Sequence, residues 1–137
     1  MAKKREPWMI KPKKGSKISL PDSIKAEVET KAADLIEKVL KPTQIQKPPK
    51  GADFNYLSDI GANWYRNSFY FTSTYTTPSS NALAPSFESK FVKMEYLGNA
   101  KFALYFMRDT GEWVGIFDQL SVDESMKAIQ DDDWFAP

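Results

Sequence analysis

The fold of this chain is decided by residues 87–116, which read FESKFVKMEYLGNAKFALYFMRDTGEWVGI. Aromatic and β-branched residues fill three runs typical of strands, and Gly98-Asn99 and Asp109-Thr110-Gly111 are turn sequences between them. The strands are predicted over residues 87–97, 100–108 and 112–117. Because both connections are short, they favour an antiparallel meander over parallel strands joined by crossovers.

Two more strands are predicted before this stretch, over residues 54–60 and 64–75. Gly61-Ala62-Asn63 is read as the turn between them, and residues 76–85 as a loop. Alternation along the longer strand then places Trp64 and Tyr70 on the same face. Neither face of the sheet is purely polar. We therefore expect the helices on one concave face, and the N-terminal residues or a second subunit on part of the other.

Helices are predicted on both sides of the sheet in sequence. Ser19 and Asp22 form a variant capping box that predicts a helix start, and Pro42 predicts its end. Ser121 and Glu124 form a second capping box before the last helix. The first helix has an apolar stripe at helical spacing, made of Ile24, Val28, Ala32, Leu35, Ile36, Val39 and Leu40. The fold class is thus α+β: an N-terminal helix, an antiparallel meander of about five strands and a C-terminal helix.

Charge is distributed unevenly along the 137 residues, although the net charge is only +1. Residues 1–50 hold thirteen basic and six acidic side chains, and residues 51–137 hold six and twelve. We interpret residues 1–17 as a flexible basic arm and residues 18–137 as a single α+β domain. The basic residues of the arm are Lys3, Lys4, Arg5, Lys11, Lys13, Lys14 and Lys17.

The two ends of the sequence are oppositely charged. The arm contains three adjacent apolar residues, Trp8-Met9-Ile10, which we expect to dock on the body or on a neighbouring chain. Asp131-Asp132-Asp133 lacks the spacing of a calcium-binding loop and is interpreted as a solvated helix end, the alternative being contact with the basic arm. The aromatic residues that follow, Trp134 and Phe135, are expected to pack back onto the sheet.

Histidine and cysteine are both absent from the sequence. This excludes disulfides, zinc sites with thiolate or imidazole ligands, cysteine nucleophiles and histidine-based triads. Carboxylate–lysine chemistry remains, and its one candidate motif is Glu88-Ser89-Lys90. Metal-dependent nucleases use this spacing, with a second acid that Asp53 or Asp59 could supply, but an exposed cross-strand ion pair explains it as well. No metal site and no cofactor are predicted.

Aromatic and basic residues raise a second possibility, nucleic-acid binding. Trp64, Arg66 and Tyr70 have the composition of sheet surfaces that stack bases. The arm would then hold phosphates through Lys3, Lys4, Arg5, Lys11, Lys13 and Lys14. The alternative is that these aromatic residues belong to the core or to a dimer interface.

Residues 87–116 and the closing DESMKAIQDDDWF, residues 123–135, resemble a family of small uncharacterised bacterial proteins, several of them cyanobacterial. Family positions are occupied here by Phe106, Arg108, Trp113, Phe117 and Phe135. The resemblance implies a shared helix–meander–helix fold and implies no activity. Some relatives carry a histidine after the strand tryptophan, which this sequence lacks.

These observations favour a non-catalytic interaction or accessory protein that forms a homodimer or binds another protein. A nucleic-acid-binding module and a magnesium-dependent phosphodiesterase acting through Glu88 and Lys90 are the alternatives. No apolar run is long enough to cross a membrane and none follows the basic start as in a secretory signal, so a cytoplasmic location is expected.

Overall fold

A computed structural model describes residues 18–45, 55–77 and 86–137. The predicted arm, 1–17, and Asp53 lie outside the described residues. The chain has the predicted α+β order of helix, antiparallel sheet and helix. Its elements are α1 (Asp22–Leu35), a π-helical segment (Ile36–Leu40), α2 (Lys41–Gln44), β1 (Tyr56–Tyr65), β2 (Ser68–Thr76), β3 (Ser86–Gly98), β4 (Lys101–Met107), β5 (Trp113–Leu120), α3 (Val122–Asp131) and a 3₁₀ turn (Asp133–Phe135).

The five strands form one sheet in the order β1-β2-β3-β4-β5, and every neighbouring pair is antiparallel. The predicted meander is therefore confirmed. The turn between β3 and β4 lies at Asn99-Ala100, one residue later than predicted. Gly98 ends β3 at φ +96°, a conformation that glycine adopts without steric cost.

The turn between β1 and β2 was predicted at the wrong place. Gly61 lies inside β1 opposite Thr72, and the chain reverses at Arg66-Asn67, where Arg66 has φ +57°. This turn is held from outside the hairpin, because Asn67 Nδ2 donates a hydrogen bond of 2.6 Å to the Ile18 carbonyl. The change of turn also moves Trp64 and Tyr70 to different strands.

Both predicted ends of the first helix were wrong. The helix begins at Asp22 with Pro21 as its N-cap, and no side chain caps it, so Ser19 and Asp22 form no capping box. Pro42 lies inside the helical run, which continues to Gln44. Proline has no N–H to donate and crowds the carbonyl four residues earlier. The turn before it is correspondingly wider, with the Lys41 N–H donating to the Ile36 carbonyl five residues back.

The core lies between the helices and one face of the sheet. From the helices it takes Val28, Ala32, Leu35, Met126 and Ile129, and from the sheet mainly Phe69, Phe71, Val92, Met94, Phe102 and Leu104. Phe135 is fully buried, as expected, whereas Trp134 is 55% exposed although its ring contacts Phe106. Among the described residues, no helix is long and apolar enough to cross a membrane.

Candidate functional site

An open groove of about 980 Å³ lies beside the last strand and the last helix. Its apolar part is formed by Phe117, Leu120, Ala128 and Trp134. Its charged part consists of Asp123, Glu124, Lys127, Asp131, Asp132 and Asp133. We call this surface the β5–α3 groove.

The capping box at Ser121 positions the helical wall of the groove. The Ser121 hydroxyl accepts from the Glu124 N–H at 3.1 Å, and Glu124 Oε1 accepts from the Ser121 N–H at 2.8 Å. Since Ser121 alone separates β5 from α3, the helix turns back along the strand. Val122, Met126 and Ile129 face the core, so helical spacing leaves the charged residues on the groove side.

The same contact lowers the pKa of Glu124. The hydrogen bond from the Ser121 N–H is the main reason that the pKa of Glu124 lies below its usual range. The Ser121 hydroxyl and the Lys101 ammonium lower the pKa further. Glu124 is therefore a carboxylate at neutral pH and contributes to the negative rim.

Two aromatic side chains give the groove its apolar surface. Phe117 is 37% exposed and Trp134 is 55% exposed, which makes them two of the four large exposed hydrophobic residues among those described. Each ring contacts another aromatic ring: Phe117 lies 6.2 Å from the buried Phe135, and Trp134 lies 4.8 Å from the partly buried Phe106, between centroids. Exposed aromatic surface held in this way is typical of interaction sites.

The rim of the groove is strongly acidic. Among the described residues it holds five carboxylates and one ammonium group, that of Lys127, which lies 2.6 Å from Asp131 Oδ2. Asp123 is also contacted from α1, by Lys31. The remaining negative charge around an apolar surface favours a cationic ligand that carries apolar side chains.

The sheet face turned away from the helices is a second candidate surface. Lys90 Nζ lies 4.5 Å from the Tyr70 ring centroid, and Lys93 Nζ lies 5.1 Å from that of Tyr105. Trp113 contacts Tyr70 with the ring centroids 5.8 Å apart. We call this surface the Tyr–Lys face. Each lysine ammonium group lies over a tyrosine ring, and the negative face of the ring attracts the cation.

Tyr105 is bound firmly within the Tyr–Lys face. Its hydroxyl donates a 2.7 Å hydrogen bond to Glu95 Oε1. Burial raises the pKa of Tyr105 well above its ordinary value, and the hydrogen bond to Glu95 acts in the same direction. The hydroxyl is therefore protonated at neutral pH and serves as a hydrogen-bond donor.

The structure does not bring the three predicted base-stacking residues together. Trp64 lies on the helix side of the sheet and packs edge-on against Phe69, with ring centroids 5.1 Å apart. Its indole Nε1 is buried and has no hydrogen-bond partner among the described residues. Arg66 lies in the β1–β2 turn over the Tyr65 ring, and Tyr70 lies on the Tyr–Lys face. The predicted arm lysines lie outside the described residues.

The predicted metal-dependent site does not gain a second carboxylate from Asp59. Glu88 and Asp59 both pair with Thr74, from opposite sides of β2, so two strand spacings separate them, about 10 Å. Asp59 instead contacts Lys41 at 3.2 Å. The described residues contain no group of three or more acidic side chains that could hold a metal ion.

Several residues of these surfaces escaped the sequence interpretation. Lys93, Tyr105 and Trp113 join Tyr70 and Lys90 on a face that spans four strands, β2 to β5, and only the register of the strands reveals this. Phe117 and Trp134 were assigned to family positions or to the core. Their sequence signal was weaker: two aromatics flanking a helix whose exposed positions are mostly acidic.

Comparison of the sequence and structure with known proteins identifies the family of this chain. No curated protein and no solved structure matches the chain. One family model, described as a domain of unknown function (DUF3024), matches residues 20–137. The match includes all of the helices and strands described above and leaves residues 1–19 outside. The chain therefore belongs to the DUF3024 family.

Proposed function

We propose that this chain is a non-catalytic protein-interaction module whose β5–α3 groove binds a basic protein segment carrying apolar side chains. The observation that carries the proposal is the exposure of Phe117 and Trp134 in a groove that is also lined by five carboxylates. An aromatic surface of this kind loses its contact with water when an apolar side chain packs on it. The carboxylates select a cationic partner and reject an acidic one.

Binding should divide into two separable contributions. The aromatic rings supply apolar contact area within the groove, and buried aromatic residues carry much of the affinity in protein interfaces. The rim carboxylates attract the partner at a distance, so they act mainly on the association rate and on its salt dependence.

The test uses the full chain and a fluorescent peptide of lysines with one tryptophan and one leucine. Trp134→Ala should weaken peptide binding about tenfold or more, as expected for a central aromatic contact. Tyr65→Ala is the matched control, because Tyr65 is similarly exposed, at 57%, and lies at the β1–β2 turn. Failure of the peptide to bind, or equal loss in both variants, would refute the groove as the binding site.

The rim is tested by charge. Asp131→Asn combined with Asp133→Asn should lower peptide affinity at low salt and reduce its dependence on salt. A peptide with glutamate in place of each lysine should not bind. If this acidic peptide binds equally well, the groove does not select by charge.

Nucleic-acid binding through the Tyr–Lys face is the second candidate function. It is favoured by the stacking of Lys90 on Tyr70 and Lys93 on Tyr105, which combines cations with aromatic surfaces. Fluorescence anisotropy with single-stranded RNA at about 50 mM salt tests it, since phosphate contacts are strongest at low salt. Lys90→Gln with Lys93→Gln should abolish binding, and Lys25→Gln with Lys38→Gln, on the first helical run, should not. Absence of binding by the unaltered chain rejects this candidate.

The homodimer and the cytoplasmic location remain predictions from the sequence. Sedimentation velocity over a wide concentration range tests the dimer. A strict monomer would leave a different protein as the partner.

A further inference from the structure

We infer that residues 1–17 of the same molecule bind in its own β5–α3 groove and compete there with an outside partner. The inference rests on the proposed function and names the segment that occupies the groove in the absence of that partner. It depends on three observations: charge, apolar content and reach.

The arm and the groove are complementary in charge. Residues 1–17 contain seven basic side chains and one acidic side chain, Glu6. The groove contains five carboxylates and one ammonium group. The basic arm and the acidic groove attract each other, and this attraction offsets the repulsion between like charges on each of them. The attraction weakens as salt is added.

The arm also carries the apolar residues that the groove would accept. Trp8-Met9-Ile10 lies between the basic cluster 3–5 and the basic residues 11–17. Bound in the groove, these three side chains would cover Phe117 and Trp134 while the flanking lysines meet the rim. Methionine adapts its flexible side chain to an irregular apolar surface, and tryptophan supplies a large contact area.

The arm leaves the described structure near one end of the groove. The Ile18 carbonyl is bound to Asn67, and Ile18 Cγ2 lies beside Gly98 at the end of β3. Gly98 pairs with Lys101 on β4, and the next residue of β4, Phe102, pairs with Leu120 in the groove. Two strand spacings, about 10 Å, therefore separate the arm's attachment from the groove.

The length of the arm exceeds the distance it must cover. The groove continues along α3, whose ten residues rise about 15 Å. Its far end is thus about 25 Å from Ile18. The ten residues from Ile18 back to Trp8 span up to about 33 Å when extended. Trp8 can therefore reach any point of the groove within its own molecule.

Tethering favours the arm of the same molecule over that of a second copy. A short linker gives the arm an effective concentration in the millimolar range, far above usual protein concentrations. An outside segment must displace it, so the apparent affinity of the groove for that segment is lowered.

The first experiment measures this competition with the same basic peptide. The full chain is compared with a variant in which Trp8→Ala is combined with Lys→Gln at residues 3, 4, 11, 13 and 14. We expect the variant to bind the peptide about tenfold more tightly, within the range that an effective concentration can supply. Lys25→Gln with Lys38→Gln should leave the affinity unchanged.

The outcomes separate the two proposals. If the peptide binds the unaltered chain and the arm variant equally, the arm does not compete and the inference is wrong, while the proposed function stands. If the peptide binds neither, the proposed function fails and the inference fails with it.

A second experiment locates the arm directly. The chain has no cysteine, so a single introduced pair can be cross-linked without side reactions. Met9→Cys with Lys127→Cys should form a disulfide within one molecule under mild oxidation. Met9→Cys with Lys38→Cys is the matched control, because the Lys127 and Lys38 side chains are both 75% exposed. A cross-linked dimer would place the arm on a second copy, and equal yields in both pairs would show no preference for the groove. Either result overturns the inference.

Discussion

Lys31 on α1 donates to Asp123 at the start of α3, with 2.5 Å between Nζ and Oδ1, and also to Glu27 of its own helix. This contact joins the first and last helices, whose contacting residues lie 92 positions apart in the sequence. The hydrogen bond to Asp123, followed by that to Glu27, raises the pKa of Lys31 above its ordinary value. The contribution to stability is thus complete below the ordinary lysine pKa and is lost as the pH rises through the higher pKa of the folded state.

A double-mutant cycle with Lys31→Gln and Asp123→Asn tests this bridge. Because both side chains are exposed, we expect a weak coupling that declines as salt is raised. Denaturant unfolding of the four proteins at low and high salt measures it. A strong coupling that salt does not alter would contradict the expected screening.

The two helix starts should respond differently to the same substitution. Ser121→Ala removes the side-chain cap of α3 and should lower the free energy of unfolding by about 1 kcal/mol. Ser19→Ala should have almost no effect, because no side chain caps α1. Urea denaturation monitored by circular dichroism compares them. If both variants lost the same free energy of unfolding, the loss in Ser121→Ala could not be assigned to its side-chain cap.

Glu124 should make stability depend on pH in the acidic range. Its pKa is lowered in the folded state, so its contribution is present above the ordinary glutamate pKa and disappears as the pH falls through the lower pKa of the folded state. Glu124→Gln should therefore destabilise the chain at neutral pH and much less in strong acid. Unfolding measured across this range checks it, with Glu29→Gln, on the exposed surface of α1, as the control. A pH-independent difference would refute the expected linkage.

Phe135 should matter much more to stability than its neighbour Trp134. Phe135 is fully buried and contacts Phe117, so Phe135→Ala should cost about 3–5 kcal/mol. Trp134 keeps half of its surface in water, so Trp134→Ala should cost clearly less and leave the chain folded. Thermal unfolding of both variants measures the difference. Equal costs would indicate that Trp134 supports the core rather than the groove.

Much of the fold was predictable because its signals are local. The turn that follows Gly98 and the capping box of Ser121 and Glu124 both depend on residues a few positions apart. The errors occurred where distant residues decide the structure. Asn67, in the β1–β2 turn, is held by a hydrogen bond to the Ile18 carbonyl, 49 positions earlier in the sequence. The helix continues past Pro42 because the turn before it is wider. Neither feature can be read from the preferences of neighbouring residues.

The candidate site was less predictable for the same reason. Strand alternation grouped Tyr70 with Trp64 on one face, whereas the displaced turn places the two side chains on opposite faces of the sheet. The turn lies at residues 66–67, so Trp64 pairs with Phe69 and shares its face rather than that of Tyr70. The acidic run at residues 131–133 was recognised, yet its neighbours Phe117 and Trp134 form a groove only after β5 and α3 pack side by side.

The order of the strands also has a consequence for how the chain folds. Each strand bonds to its neighbours in sequence, so the sheet is built from contacts that close short loops. Such contacts cost little chain entropy and form rapidly. The link between α1 and α3 closes a loop that encloses the entire sheet. We therefore expect the hairpins to form early and the two helices to meet late, after the sheet has brought their ends together.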